Sequence, residues 1–288
     1  MASSLDLLGR YVNCSESRVP GILRQYTVMS VCALKGSSVD MRCPVPSVTQ
    51  VTEMVWYNKR LNGKPYDLRW DPNYEGRVEY RGTTEKDCIL RITDLRESDV
   101  ATYYFRYKTN QYSEWKYSYG FPLSLTDLKV ERIYDNKLTC NTTCTLTGNP
   151  TYIWYKNRQH LDERTSPQYK DPVSSNYVDS YSCAVKGHED LRSPAVYGPK
   201  NTSVSASPSG EIVEGSSVTL TCSSDANPPV DKYTWYKKNV ASPKASGQSY
   251  SITNISSEDR GEYYCEAENK YGRLNSSSVS VDVQCKYT

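Results

Sequence analysis

The sequence predicts an all-β chain of three tandem β-sandwiches. Three observations carry that expectation. Short runs alternate apolar and polar residues, as in SVTLTC (217–222), the period of a half-buried strand. A tryptophan recurs in one setting, MVWYNK at Trp56, YIWYKN at Trp154 and YTWYKK at Trp235, and the repeats suit the two or three domains that 288 residues suggest. Tyrosine is abundant (26 residues) while phenylalanine is nearly absent (2), and a tyrosine packs its ring while keeping its hydroxyl wet, which suits half-exposed sheets.

Cysteines frame each tryptophan. Cys43 lies 13 residues before Trp56, Cys140 lies 14 before Trp154, and Cys222 lies 13 before Trp235. A second anchor follows: Cys183 comes 29 residues after Trp154, and Cys265 comes 30 after Trp235. Cys…Trp…Cys at this spacing is the immunoglobulin-domain signature, in which a buried tryptophan on strand C packs on a disulfide joining strands B and F. Asp259, Gly261, Tyr263 and Cys265 add the tyrosine corner. The reading is therefore one V-set domain followed by two C2/I-type domains. Residues 1–24 are expected to be a leader or unstructured, 25–126 the V-set domain, 127–197 a C2-type domain, and 198–284 a C2/I-type domain with short linkers between them.

The first domain departs from the pattern. From Trp56 to the second anchor is 49 residues, and the extra length can supply the C′ and C″ strands of a V-set domain. Phe105 stands where the strand-F cysteine belongs, after Asp99, Ala101 and Tyr103 of the corner. The partner of Cys43 must lie elsewhere, and Cys88 on strand E would make a bond within one sheet. Arg77 is expected to pair with Asp99 as a structural ion pair. Side chains alternate along a strand, so with Phe105 inward Arg106 points out from the open face. The plain alternative is an exposed strand arginine neutralised by Glu114 or another neighbour.

Lys+Arg 35 against Asp+Glu 33 leaves +2, which gives no reason to expect a nucleic-acid partner. No apolar run approaches the length of a membrane span. Asn-x-Ser/Thr glycosylation sequons at Asn13, Asn141, Asn201, Asn254 and Asn275, with 10 cysteines, point to an extracellular or cell-surface chain. The start, MASSLDLLGRYVNC, does not read as a signal peptide, so the expectation is a piece of a longer product lacking its leader and membrane end. Two histidines, no phosphate loop and no nucleophile motif argue against an enzyme or a cofactor. A zinc site at Cys140 and Cys144 needs two more ligands, and neither His160 nor His188 stands at a recognised spacing.

The segments KDCILRITDL, DVATYYFR and WKYSYGFPLSLT closely resemble the Siglecs, the sialic-acid-binding immunoglobulin-like lectins. The resemblance covers about 24–285, is most specific over 86–119, and is to a fish member of the branch that inhibits B cells. It implies a cell-surface lectin of immune regulation whose strand-F arginine clamps the sialic acid carboxylate, a role that falls on Arg106. It implies strand-G contacts from Trp115, Lys116, Tyr117 and Ser118, and an aromatic near strand A, for which Tyr26 is nearest. It also implies a bond between the first two domains, Cys32–Cys144, with Cys140–Cys183 and Cys222–Cys265 closing the second and third. Cys14 and Cys285 are left without an assignment. A different reading of the same tyrosine-rich face is adhesion to an immunoglobulin-superfamily protein without lectin activity.

Overall fold

The computed structural model describes residues 11–12, 30–44, 50–81, 87–111, 113–134, 137–170 and 179–284; for residues 11, 12, 43, 44, 87 and 88 it describes the backbone. The first sandwich contains β1 (Tyr11–Val12), β2 (Val31–Leu34), β3 (Val39–Pro44), β4 (Val51–Tyr57), β5 (Arg60–Leu61), β6 (Lys64–Pro65), β7 (Val78–Arg81), β8 (Asp87–Ile92), β9 (Thr102–Thr109), β10 (Lys116–Tyr117) and β11 (Phe121–Thr126). One sheet runs β1-β3-β8-β7. The other runs β10-β9-β11-β2, with β4 on the free edge of β9. Alternation builds the core: Met41, Leu90 and Ile92 from the first sheet meet Trp56, Tyr103, Phe105 and Leu123 from the second.

Two features of this sandwich differ from the expectation. Tyr11–Val12, in the segment expected to be a leader or unstructured, pair in parallel with Asp40 and Met41 of β3, whose outer edge has free backbone groups to offer. The extra length after Trp56 forms only the two-residue strands β5 and β6 and two 3-10 turns at Leu68–Trp70 and Pro72–Tyr74. Asp67 and Asp71 cap these turns by accepting from Arg69 N and Asn73 N.

The second sandwich sets β12 (Lys129–Tyr134), β13 (Lys137–Asn141) and β16 (Gln168–Lys170) against β14 (Tyr152–Lys156), β15 (Gln159–Arg164) and β17 (Tyr181–Val185). The third has β18 (Tyr197–Ser207), β20 (Val218–Asn227) and β23 (Ser249–Ile252) in one sheet. Its other sheet holds β21 (Lys232–Lys237), β22 (Ala245–Ser246), β24 (Gly261–Asn269), β25 (Gly272–Asn275) and β26 (Val279–Val281). A short parallel pair, β19 (Ile212–Val213) with β27 (Val283–Gln284), closes its edge.

The threefold repeat is visible in the register. Trp56 stands opposite Phe105, Trp154 opposite Cys183, and Trp235 opposite Cys265. All six are fully buried. Where the later sandwiches bond Cys140 to Cys183 and Cys222 to Cys265, the first packs rings: Trp56 lies 4.9 Å from Phe105 and 5.6 Å from Phe121. Tyrosine corners recur, with the hydroxyls of Tyr103 and Tyr263 donating to the Asp99 and Asp259 carbonyls at 2.7 and 2.8 Å. Arg77 grips both carboxylate oxygens of Asp99, at 2.8 and 2.9 Å, beneath the first corner.

A second repeat lies in the segment after the anchor. Ser118, Ser193 and Ser276 each donate N–H to the carbonyl of Phe105, Cys183 or Cys265, at 2.8 Å in every case. Each serine's Oγ accepts from the same residue's N–H, at 2.9, 3.0 and 3.0 Å. The hydroxyl stands in for a carbonyl, so the N–H of Phe105, Cys183 and Cys265 is paired in each sandwich.

The sandwiches share their interior. Cys32 and Leu34 of β2 and Tyr271 of the third sandwich are buried in the core cluster of the second. Cys32 is bonded to Cys144. The Tyr271 hydroxyl donates to the Val130 carbonyl at 3.0 Å, and buried Asn269 donates to the Tyr197 and Pro228 carbonyls at 3.1 and 2.8 Å.

Candidate functional site on the outer face of the first sandwich

Strand β9 is bordered by β4 on one side and by β10 and β11 on the other, so its outward residues stand mid-sheet. Tyr103 and Phe105 point into the core, which turns Tyr104, Arg106 and Lys108 outward. Across the sheet Arg106 is opposite Val55 on β4 and Tyr117 on β10. Trp115 folds back over this face. The Arg106 guanidinium carbon sits 4.1 Å from the Trp115 ring centre and the Lys108 ammonium 4.8 Å, a cation–π arrangement with both cations on one indole.

Charge pairing separates the two cations. Lys108 reaches Glu53 at 3.0 Å. Arg106 has no carboxylate partner among the described residues, Glu114 included, and its Nε is buried without a hydrogen-bond acceptor. Five other arginines of this sandwich are paired: Arg69 with Asp67, Arg77 with Asp99, Arg81 with Glu79, Arg91 with Asp40 and Arg96 with Asp94.

The structure brings Arg106, Trp115 and Tyr117 together on one surface. Lys116 is exposed opposite Tyr107. The Ser118 hydroxyl is engaged within the sheet, accepting from Phe105 N and donating to the Tyr119 carbonyl at 2.9 Å. Tyr26 lies outside the described residues. Cys43 and Cys88 stand directly opposite each other on β3 and β8, with their side chains outside the described set. Asn141, Asn201, Asn254 and Asn275 are all exposed; Asn13, Cys14 and Cys285 fall outside the description.

Sequence reasoning missed an aromatic plate beside Arg106. Tyr104 stacks on Tyr57 at 5.5 Å and 23°, and its ring lies so close over Gly120 that a Cβ there would meet Tyr104 Cε1 at 2.9 Å. The glycine after an aromatic pair in YSYGF was the available signal. In the segment after Trp56, Tyr80 donates to Asp67 at 2.7 Å. Burial opposes charge on Asp67, but hydrogen bonds from Arg69 and Tyr80 outweigh it and hold the carboxyl below its ordinary range. No group of three or more His, Cys, Asp or Glu among the described residues could hold a metal, and no helix is long and apolar enough to cross a membrane.

Comparison with known proteins agrees with this architecture. The immunoglobulin V-set domain family matches residues 27–126 and an immunoglobulin domain family matches 199–283. The chain is 30% identical to the B-cell receptor CD22 of Mus musculus over 138 residues, covering 46% of this chain and 16% of the relative. It is 28% identical to junctional adhesion molecule A of Homo sapiens over 186 residues, covering 59% and 57%. It is 34% identical to vascular cell adhesion protein 1 of Rattus norvegicus over 114 residues, covering 38% and 15%. The chain thus spans less than two thirds of the length of each of these relatives. Its tandem sandwiches, their cysteine–tryptophan frame and these matches make the chain a member of the immunoglobulin superfamily, akin to receptor and adhesion proteins.

Proposed function

We propose that the chain is the extracellular part of a cell-surface recognition receptor of immune, B-cell regulatory type, and that it binds sialylated glycans through the outer face of its first sandwich. The observation that carries this reading is Arg106: a guanidinium on an open sheet, held by an indole and left without an acid among the described residues, in a sandwich where five other arginines have one. A planar guanidinium presents two parallel N–H donors to a carboxylate. Because Nε is buried, the carboxylate approaches from outside and meets the terminal Nη pair. Trp115 orders the side chain beforehand, so binding loses less rotamer freedom. The likeness of residues 86–119 to Siglecs and the match to the B-cell receptor CD22 support the same reading.

The second reading is adhesion to a protein, favoured by the matches to adhesion molecules and by the exposed rings of Tyr104, Tyr117 and Tyr119 on or beside this face. Sialidase treatment of target cells separates the two. Loss of binding after treatment is the expected result; equal binding to treated and untreated cells replaces the lectin with a protein-binding module.

A further inference from the structure

The third sandwich repeats the frame of the face that carries Arg106. In both, the residue after the buried anchor stands opposite the residue before the bonded serine: Arg106 opposite Tyr117, and Glu266 opposite Asn275. In both, the residue before the anchor is a tyrosine stacked on the tyrosine that follows the tryptophan: Tyr104 on Tyr57, and Tyr264 on Tyr236 at 5.3 Å and 18°. Two residues set the third sandwich apart. A glutamate replaces the arginine, and Asn275, in the place of Tyr117, opens a glycosylation sequon completed by exposed Ser277.

Geometry directs a sugar on Asn275 toward Tyr264. The ring spacing is close to the ~4.8 Å between neighbouring strands, so the two rings stand side by side on the sheet. The ring face of Tyr264 turned away from Tyr236 on β21 therefore looks toward β25, which ends at Asn275. Residues directly opposite share a face, and diagonal neighbours such as Asn275 and Tyr264 stand about 7–8 Å apart, within reach of long side chains. Nothing bulky lies between them. Ser276 is bonded to Cys265 and Val279 is opposite Tyr263, and the chain between carries only Ser277 and Ser278. Asn275 gives its amide to no partner among the described residues, whereas Asn141 donates to Glu131 at 3.0 Å. Glu266 has no basic partner among the described residues, which leaves its carboxylate to accept from sugar hydroxyls. A pyranose is rich in C–H on one face, and that face packs on the electron-rich face of an aromatic ring.

We propose that Tyr264 and Glu266 form a seat for the chain's own glycan: the first N-acetylglucosamine on Asn275 lies on the Tyr264 ring, with a hydroxyl or acetamide donor turned to Glu266. The seated sugar covers this face, so the open copy of the face is the one on the first sandwich. This seat does not depend on what the first sandwich binds. The test uses the whole chain, secreted behind an added signal sequence from cells that make high-mannose glycans, then trimmed with an endoglycosidase that leaves one N-acetylglucosamine at each site. Glycopeptide mass spectrometry is expected to find Asn275 occupied, and a bare Asn275 overturns the seat. Asn275→Gln is expected to lower the melting midpoint of the transition that contains the third sandwich by about 2–5 °C, and by less than about 1 °C in a Tyr264→Val background. An equal loss in both backgrounds, or none in either, overturns the seat. A second readout needs no change at Tyr264. With isotope-labelled sugars, the ring current should move C–H signals of one N-acetylglucosamine upfield, and Asn275→Gln should delete them; every sugar resonating as it does in a free glycopeptide overturns the seat.

Discussion

Arg106 was legible in the sequence because parity on a strand is exact: once Phe105 takes the core position, its neighbour must face out. That Glu114 does not pair with it was not legible, since Glu114 is eight residues away in sequence and only the path of the loop decides whether it returns. Arg106→Ala is expected to weaken binding of a sialylated glycan about 10- to 150-fold, from roughly 1.5–3 kcal/mol for a charge-assisted contact. Arg106→Lys recovers part of this, because an ammonium cannot match two oxygens in one plane. Trp115→Ala costs less and leaves the dependence on sialic acid intact; titration of the three variants against one glycan checks the order. A separate residue sets an alkaline limit. Burial disfavours the tyrosinate of Tyr263, whose pKa is pushed up to about 12 from 10.0. Below the unfolded value its contribution to stability is whole, and it is lost as pH rises through the window from 10 to 12, where the unfolded chain sheds the proton first. Denaturant melts across that window should show stability of the third sandwich falling, with a shallower slope in Tyr263→Phe.

Strands were readable where one face is apolar, as in β20, where Val218, Leu220 and Cys222 are buried while Thr219 and Thr221 meet Ser251 and Ser249 hydroxyls at 2.9 and 3.3 Å. The stretch after Trp56 was harder. Its length suggested two strands, but Asp67 and Asp71 prefer to cap short turns, and Asn62-Gly63 ends the hairpin after two residues. The serine contacts after each anchor were invisible to pattern reading, because a serine carries no mark until its partner N–H is known. They yield a sharp expectation. Ser276→Ala leaves the Cys265 N–H buried and unpaired, which costs about 1–3 kcal/mol. Calorimetry of the unglycosylated chain should show the loss in the transition that contains the third sandwich, whereas alanine at exposed Ser277, one residue on, should have little effect. The backbone places Cys43 and Cys88 opposite each other between hydrogen-bonded strands, and peptide mapping under non-reducing conditions is expected to recover them joined.

At the scale of the molecule, the tandem order was plain from three tryptophans, but the shared interior was not, because Tyr271 sits in an ordinary Asn-Lys-Tyr-Gly turn. Its ring completes the second core from outside, so the second and third sandwiches should melt together. Tyr271→Ala, which empties a buried aromatic site, is expected to cost about 3–5 kcal/mol and to split that transition in two. Tyr271→Phe loses only the bond to the Val130 carbonyl, about 1 kcal/mol, and keeps one transition. Phe105 gives the assembly a mechanical character. A chain that tethers one surface to another is pulled along its length, and a disulfide withholds the 43-residue separation it spans from extension in the second and third sandwiches. The first sandwich has rings where that bolt would be, yet a different bond shields it. Cys32 on β2 is bonded to Cys144 in the second sandwich across 112 residues, so tension from the chain's ends passes through that bond and withholds nearly the whole first sandwich from extension. In an optical trap pulling on the chain's ends, the first sandwich should therefore add no length until that bond is reduced, and reductant should lengthen the total extension, which makes the end that carries Arg106 a part of the molecule that tension does not unravel.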